Sequence, residues 1–219
     1  MTAPSQSTLI INEIFYSIQG ESTRMGRPCV FIRLTACDLR CAWCDTAYAF
    51  EDGTEMTINA ILQKAKEYGC NLVEITGGEP LMQENVHLLI RSLCNEKFEV
   101  IIETGGHHDI SRIDPRVKRI MDIKCPGSKM HKHNRWENIE ALNPKDEVKF
   151  VIKDYADYEW AKHVLLQYQL DKRCSILMLP VFGVLENRIL AEWILHDRLR
   201  VQFQLQMHKY IWDPKARGV

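Results

Sequence analysis

A chain of 219 residues with 46% hydrophobic and 26% charged residues can bury one core without disulfide staples and reads as a single globular domain. A formal net charge of −1 excludes a global field for holding nucleic acid or a membrane surface, so an anionic ligand must be met by local groups. Residues 1–8 have neither a basic start nor an apolar segment, and no apolar run reaches the roughly 20 residues of a spanning helix, so the expected location is cytoplasmic.

In chain order, residues 9–15 predict an extra strand outside the repeating pattern, and residues 30–34 a β-rich run leading into a loop with three cysteines. Ile58, Ile61, Leu62 and Ala65 recur at helical spacing, with Gly69 as the stop. Residues 71–76 predict a strand that ends at Gly77-Gly78, and Val86, Leu89, Ile90 and Leu93 a second helix. Further strands are expected at 99–103, 120–124 and 148–152. A helix N-capped by Asp154 then places Tyr158, Ala161, Leu165 and Leu166 on one face. Residues 175–179 predict a sixth strand, 190–195 a helix and 201–207 a last strand. This alternation implies a mostly parallel α/β sheet. About six repeats are too few to close an eight-stranded barrel, so the expected fold is an incomplete (β/α) barrel. Its ligands would gather where strands end, near Cys37, Gly77, Glu103, Lys124 and Pro180.

Eight cysteines are many for a chain of this size. Cys29, Cys70, Cys94 and Cys174 read as small buried hydrophobes, whereas Cys125 sits in a Pro-Gly-Ser segment that leaves its role open. Cys37, Cys41 and Cys44 are different. Their Cys-x-x-x-Cys-x-x-Cys spacing supplies three thiolates and no fourth, while a structural zinc site takes four ligands. Completion by Asp45 or a distant histidine is the zinc alternative. A cubane held by three cysteines instead leaves one iron open to a non-protein ligand. The turn Thr76-Gly77-Gly78-Glu79-Pro80, between an apolar strand and a helix, lets backbone approach a ligand closely.

The cysteine spacing, with Trp43 before the last cysteine, resembles the signature of the radical S-adenosylmethionine superfamily. The Gly-Gly turn is similar to the superfamily's turn for the cofactor's amino group. Gln19-Gly20-Glu21, Arg33, Cys44-Asp45-Thr46, the 76–80 turn and Gln206-Met207-His208-Lys209 together resemble the 7-carboxy-7-deazaguanine synthases. That resemblance implies a single radical SAM domain over 1–219, with the extra strand at about 9–15 and a substrate-contacting tail at about 206–219. It implies a carbon–nitrogen lyase that converts 6-carboxy-5,6,7,8-tetrahydropterin to 7-carboxy-7-deazaguanine with loss of ammonia, in queuosine and 7-deazapurine biosynthesis. A 5′-deoxyadenosyl radical would abstract hydrogen from C6 of the pterin.

The implied cofactors are a 4Fe-4S cluster on Cys37, Cys41 and Cys44, S-adenosyl-L-methionine and Mg2+, with Thr46 as the magnesium ligand. Cofactor contacts would come from Trp43, Cys44, Asp45, Gly77, Gly78, Glu79, Glu103, Cys125, Pro126, Gly127, Pro180, Val181 and Phe182. For Glu103 the alternative is an ordinary capping or surface carboxylate. Substrate contacts would come from Ile18, Gln19, Gly20, Glu21, Thr76 and Val219, with Arg33 and His208 on the substrate carboxylate. Implied partners are a flavodoxin-like electron donor and a second copy of the chain. Ser22 and the Cys125-Pro126-Gly127-Ser128 segment depart from the commonest family wording. Rival readings are a glycyl-radical-enzyme activase and a non-enzymatic iron–sulfur or zinc redox module. The polar segment 129–135 reads as a solvated loop in preference to a dock for an acidic electron donor, and His107-His108 as a polar turn.

Overall fold

The computed structural model describes residues 7–219; the expectation that the chain start carries no leader falls largely on residues 1–6, outside the described residues. One sheet of nine strands organises everything else. Its strands are β1 (Thr8–Ile18), β2 (Pro28–Leu34), β3 (Thr54–Thr57), β4 (Leu72–Gly77), β5 (Glu99–Thr104), β6 (Lys118–Asp122), β7 (Glu147–Ile152), β8 (Ser175–Pro180) and β9 (Gln202–Phe203). The order is β3-β1-β2-β4-β5-β6-β7-β8-β9. β1 runs antiparallel to both neighbours, and every pairing from β2 to β9 is parallel. No ladder joins β3 to β9 among the described residues, so the expected open, incomplete barrel is the observed architecture.

Four helices, α1 (Ile58–Glu67), α2 (Val86–Asn95), α3 (Tyr155–Tyr168) and α4 (Asn187–Asp197), follow β3, β4, β7 and β8. Thr57 and Asp154 cap α1 and α3 through side-chain oxygens on Ala60 N (3.2 Å) and Asp157 N (3.1 Å). One large apolar cluster fills the space between helices and sheet. A smaller one of Phe15, Cys29, Phe31, Leu72, Ile101 and Ile120 lies on the opposite face. β1 serves both. A register shift between Ile11 and Glu13 moves its odd-numbered side chains from the first cluster, with Leu9 and Ile11, to the second, with Phe15.

Several elements depart from expectation. β3 lacks a strand pattern in sequence and forms by pairing with the start of β1. β6 begins and ends two residues earlier than expected, because Asn134 takes both the N–H and the C=O of Lys124 at 2.9 Å and removes them from the ladder. β9 stops after two residues because the following chain turns towards β1, with Met207 N on Gly20 O at 3.0 Å. Leu166, expected on the buried face of α3, is 61% exposed, and Val164 packs inward instead. Cys29 and Cys125 are buried, while Cys70, Cys94 and Cys174 are only half-buried against the core. Among the described residues no helix is long and apolar enough to cross a membrane.

Candidate active site

The loop after β2 is shaped by its own backbone. Ala36 takes φ 80°, its N–H on Ala49 O at 2.8 Å, which turns the chain out of the strand before Cys37. The Arg40 guanidinium donates to the carbonyls of Cys37 (2.6 Å) and Leu39 (2.7 Å) and lies 4.1 Å from the Phe50 ring centroid. Cys44 N closes a tight turn on Cys41 O at 3.2 Å. The result brings Cys37, Cys41 and Cys44, all free thiols, to one wall of a cavity of about 690 Å3. Burial pushes the Cys37 and Cys41 thiols up, so metal must displace their protons. Among the described residues no fourth thiol lines the cavity. Asp45 and His107 also line the cavity, but Asp45 is held by Lys209 and His107 by Asp38, each at 2.6 Å, so the three thiolates fit a cubane cluster with one open iron better than a closed zinc site.

His107 and His108 do more than form a polar turn. Their Nε2 atoms meet the two oxygens of Asp38 at 2.6 and 3.0 Å, clamping the cysteine loop to the loop after β5. The Gly-Gly turn presses on the same loop from below. A Cβ on Gly78 would collide with Ala36 O and stand 2.8 Å from the Cys37 Cβ, so only glycine permits that approach. Glu79, expected on the cofactor, is fully buried with both oxygens committed. They accept from Leu81 N (3.0 Å), Thr104 Oγ1 (2.8 and 2.9 Å) and Gly105 N (2.8 Å). Three donors thus occupy most of the acceptor capacity of its two oxygens. Glu79 therefore fixes the turn to the end of β5.

The cavity floor is a charge network that the sequence reading found only in part. Lys149 on β7 pairs with Glu103, with Glu21 at 2.9 Å and with Asp122 at 3.9 Å; Asp122 also holds Lys124 at 2.8 Å. Burial alone would discharge Lys149, but Glu103 and Glu21 outweigh it and keep the ammonium charged. Against the same floor lies Glu74, which accepts from Gln19 Nε2. Burial, aided by the Glu103 charge, pushes its carboxyl up to about 8. Glu74, Asp122 and Lys149 were missed. The signal available was a buried ionisable residue beside apolar neighbours in the chain, as in Val73-Glu74-Ile75, Met121-Asp122-Ile123 and Val148-Lys149-Phe150.

Gln19 is not free to meet a ligand with its whole amide: Oε1 takes Glu21 N at 3.1 Å while Nε2 serves Glu74. Arg33, on β2, gives Nε to Glu13 at 2.8 Å, and neither Nη atom is hydrogen-bonded among the described residues. The short helix α5 (His208–Ile211) lays His208 over Gly20 so closely that a Cβ there would strike the imidazole. Burial holds His208 below its usual value despite Glu21 and Asp45. Gln206 Nε2 bridges Glu21 (3.0 Å) and Asp45 (3.1 Å), and Lys209 Nζ reaches Asp45 at 2.6 Å. Asp45 is thus tied to this late segment.

Among the described residues Thr46 Oγ1 has one side-chain hydrogen-bond partner, Cys44 Sγ at 3.8 Å. Residues 214–219 fold back over the opening, with Arg217 4.0 Å from the Tyr48 ring centroid and Val219 on the wall. Ile18, Glu21, Trp43, Thr76, Gly77, Val181 and Phe182 also line the cavity. Cys125, Pro126, Gly127 and Pro180 do not. Cys125 is packed in the helix-side core, and Gly127 N is held by Asp157 at 2.7 Å.

Similarity to known proteins agrees with this geometry. The Radical SAM superfamily profile matches residues 31–165. The 7-carboxy-7-deazaguanine synthase of Chlorobaculum tepidum is 49% identical over 218 residues, covering 98% of this chain and 99% of that one. The enzyme of the same name from Koribacter versatilis is 42% identical over 224 residues, covering 95% and 99%. Among solved structures, QueE from Escherichia coli superposes with TM-score 0.75 at 26% identity, over 90% of this chain and 94% of that one. TYW1 with a lysine-pyruvate adduct, at 12% identity and TM-score 0.52, shares the fold alone. The chain belongs to the 7-carboxy-7-deazaguanine synthase family within the Radical SAM superfamily.

Proposed function

We propose that this chain is a 7-carboxy-7-deazaguanine synthase acting on 6-carboxy-5,6,7,8-tetrahydropterin, in the synthesis of 7-deazapurines. The observation that carries this reading is the convergence on one cavity of three free cysteines, a glycine turn and two polar groups, Arg33 and His208, from distant parts of the chain. A glycyl-radical activase or a redox module gives no reason for that pair.

Cys37, Cys41 and Cys44 would hold the 4Fe-4S cluster, and Trp43 and the 77–78 backbone would flank S-adenosyl-L-methionine. Bound there, these groups supply a 5′-deoxyadenosyl radical. The protein's own part is placement. Arg33 offers two unpaired Nη atoms to the substrate carboxylate, and His208, uncharged at neutral pH, adds a hydrogen bond. The backbone of Ile18 and Gly20 and what remains of the Gln19 amide would meet the pterin's amide-like edge, with Val219 beside it. Glu103 and Lys149 supply fixed opposite charges on the floor. Thr46, whose hydroxyl has one side-chain hydrogen-bond partner among the described residues, the Cys44 thiol, is a candidate magnesium ligand. The whole chain is taken as one domain, working as a cytoplasmic homodimer that receives electrons from a flavodoxin-like protein; the family resemblance supports these last assignments.

The test is anaerobic reconstitution with S-adenosyl-L-methionine and dithionite, measuring 5′-deoxyadenosine with and without the pterin. Pterin-dependent formation of the deazapurine is expected, and Cys41→Ala should bind neither iron nor sulfide. A fully loaded Cys41→Ala protein would sink the cluster assignment.

A further inference from the structure

Residues 129–135 run Lys-Met-His-Lys-His-Asn-Arg: three fixed positive charges, two histidines and no acidic residue, in a chain whose net charge is −1. Its composition alone is that of a solvated loop. The structure pins it to the cysteine loop. Ala42 N donates to Ser128 O at 3.1 Å, and Arg40 N lies 3.4 Å from Met130 Sδ, so residues 128–130 abut the chain on either side of Cys41. Asn134 locks both backbone groups of Lys124, and Arg135 N reaches Gly106 O at 3.3 Å. Lys129, Lys132, His133 and Arg135 are exposed. Arg135 has Asp109 at 3.8 Å and Glu137 at 4.0 Å, but neither Lys129 nor Lys132 has an ion-pair partner among the described residues.

The geometry points to this segment as the docking surface for an acidic one-electron donor protein, seated over the outer side of the cysteine loop. Three observations converge. The surface is rigid, because backbone hydrogen bonds anchor it at both ends, so little order is lost on binding. Lys129 and Lys132 carry charge with no ion-pair partner among the described residues, which steers an acidic partner and suppresses basic ones. And it touches the loop that holds the three cysteines, so a partner seated there is beside the group it must reduce. One electron passes from the donor's reduced flavin to the cluster, and no covalent bond changes at the interface. This inference rests on the radical-enzyme reading above and names the surface through which that site is fed.

The experiment uses the intact chain and a purified acidic flavodoxin. Affinity of the oxidised flavodoxin for the parent, Lys129→Gln/Lys132→Gln and Lys129→Glu/Lys132→Glu is measured by calorimetry at low and high salt. 5′-Deoxyadenosine formation is followed in parallel with dithionite and with reduced flavodoxin below saturation. For the parent, affinity should fall steeply with salt. The neutralised variant should bind weaker by several-fold and the charge-reversed variant by on the order of tenfold or more, both with a flattened salt dependence. Flavodoxin-driven rates should fall in the same order, and dithionite-driven rates should stay at the parent level. Equal flavodoxin affinity across all three proteins overturns the assignment of this surface. Loss of the dithionite-driven rate as well overturns it in favour of a structural role. Absence of any dithionite-driven turnover in the parent would instead strike the radical-enzyme reading itself.

Discussion

Glu74 is a carboxyl with little water to solvate its charge, and the charged Glu103 nearby raises the cost of ionising it further. In the folded chain it keeps its proton up to about 8, whereas in the unfolded chain it releases it near 4.5. The folded state then binds more protons across that interval, so stability is full below about 4.5 and is lost as pH rises to about 8. Thermal melts of the parent and Glu74→Gln over this range should show the parent's Tm falling relative to the variant's. Parallel curves would mean that Glu74 is ionised throughout. A second prediction concerns Arg33 and His208. A hydrogen bond from a charged donor contributes about 1.5–3 kcal/mol and a neutral one about 1 kcal/mol. Arg33→Ala should therefore weaken pterin binding by roughly ten- to a hundredfold and His208→Ala by about fivefold. Neither loss should appear for an analogue lacking the carboxylate, which calorimetry can check. Arg33 and His208 were legible because they belong to motifs. Glu74 and Lys149 were not, because each is an isolated charge flanked by apolar residues and belongs to no motif, and only the order of strands in the sheet shows that they line the same cavity.

At the scale of elements, the strand-and-helix alternation was readable because each strand is a short apolar run ended by glycine, proline or a polar residue. What escaped was set by partners distant in sequence. β3 exists because β1 offers it an edge, and β6 stops where Asn134 claims Lys124. β6 is also fastened at its start: the buried Asp146 accepts from Arg119 N (3.0 Å) and Nε (3.1 Å), and from Asn143 N at 2.9 Å. Arg119→Met leaves that carboxylate buried without its counter-charge, which should cost about 3–5 kcal/mol. The expected fall in Tm is roughly 10 °C. The segment 206–211 is fastened more lightly. Lys209 is nearly buried, but Asp45 is 41% exposed, so a double-mutant cycle of Lys209→Ala and Asp45→Ala should return under about 1 kcal/mol of coupling in global stability. Its larger effect should be on pterin affinity, because the pair holds His208 in place; Lys209→Ala, which leaves the Cys44-Asp45 segment intact, should keep the parent's iron content.

For the whole molecule, sheet order follows chain order from β4 to β9, so most of the fold is assembled from strands near one another in sequence. One closure is different. Gln206 returns to Glu21 across 185 residues, and Gln204 Nε2 to Ser22 O across 182. The helix it positions, α5, spans only four residues and has none that is fully buried, so little apolar burial holds it to the sheet. In a chain that unfolds in parts, such a segment detaches well before the sheet does. The expected signature is rapid amide hydrogen exchange at Met207, Tyr210 and Ile211 against slow exchange in β4 and β5, with the pterin slowing only the first group. Equal protection throughout would mean that the segment is a permanent wall. Since His208 rides on it and lines the cavity, slow exchange elsewhere and rapid exchange here would make one wall of the cavity the piece that comes away first. Substrate can then enter, and product leave, through transient detachment of a part of the site, while the cysteine loop and the strands beneath it stay folded.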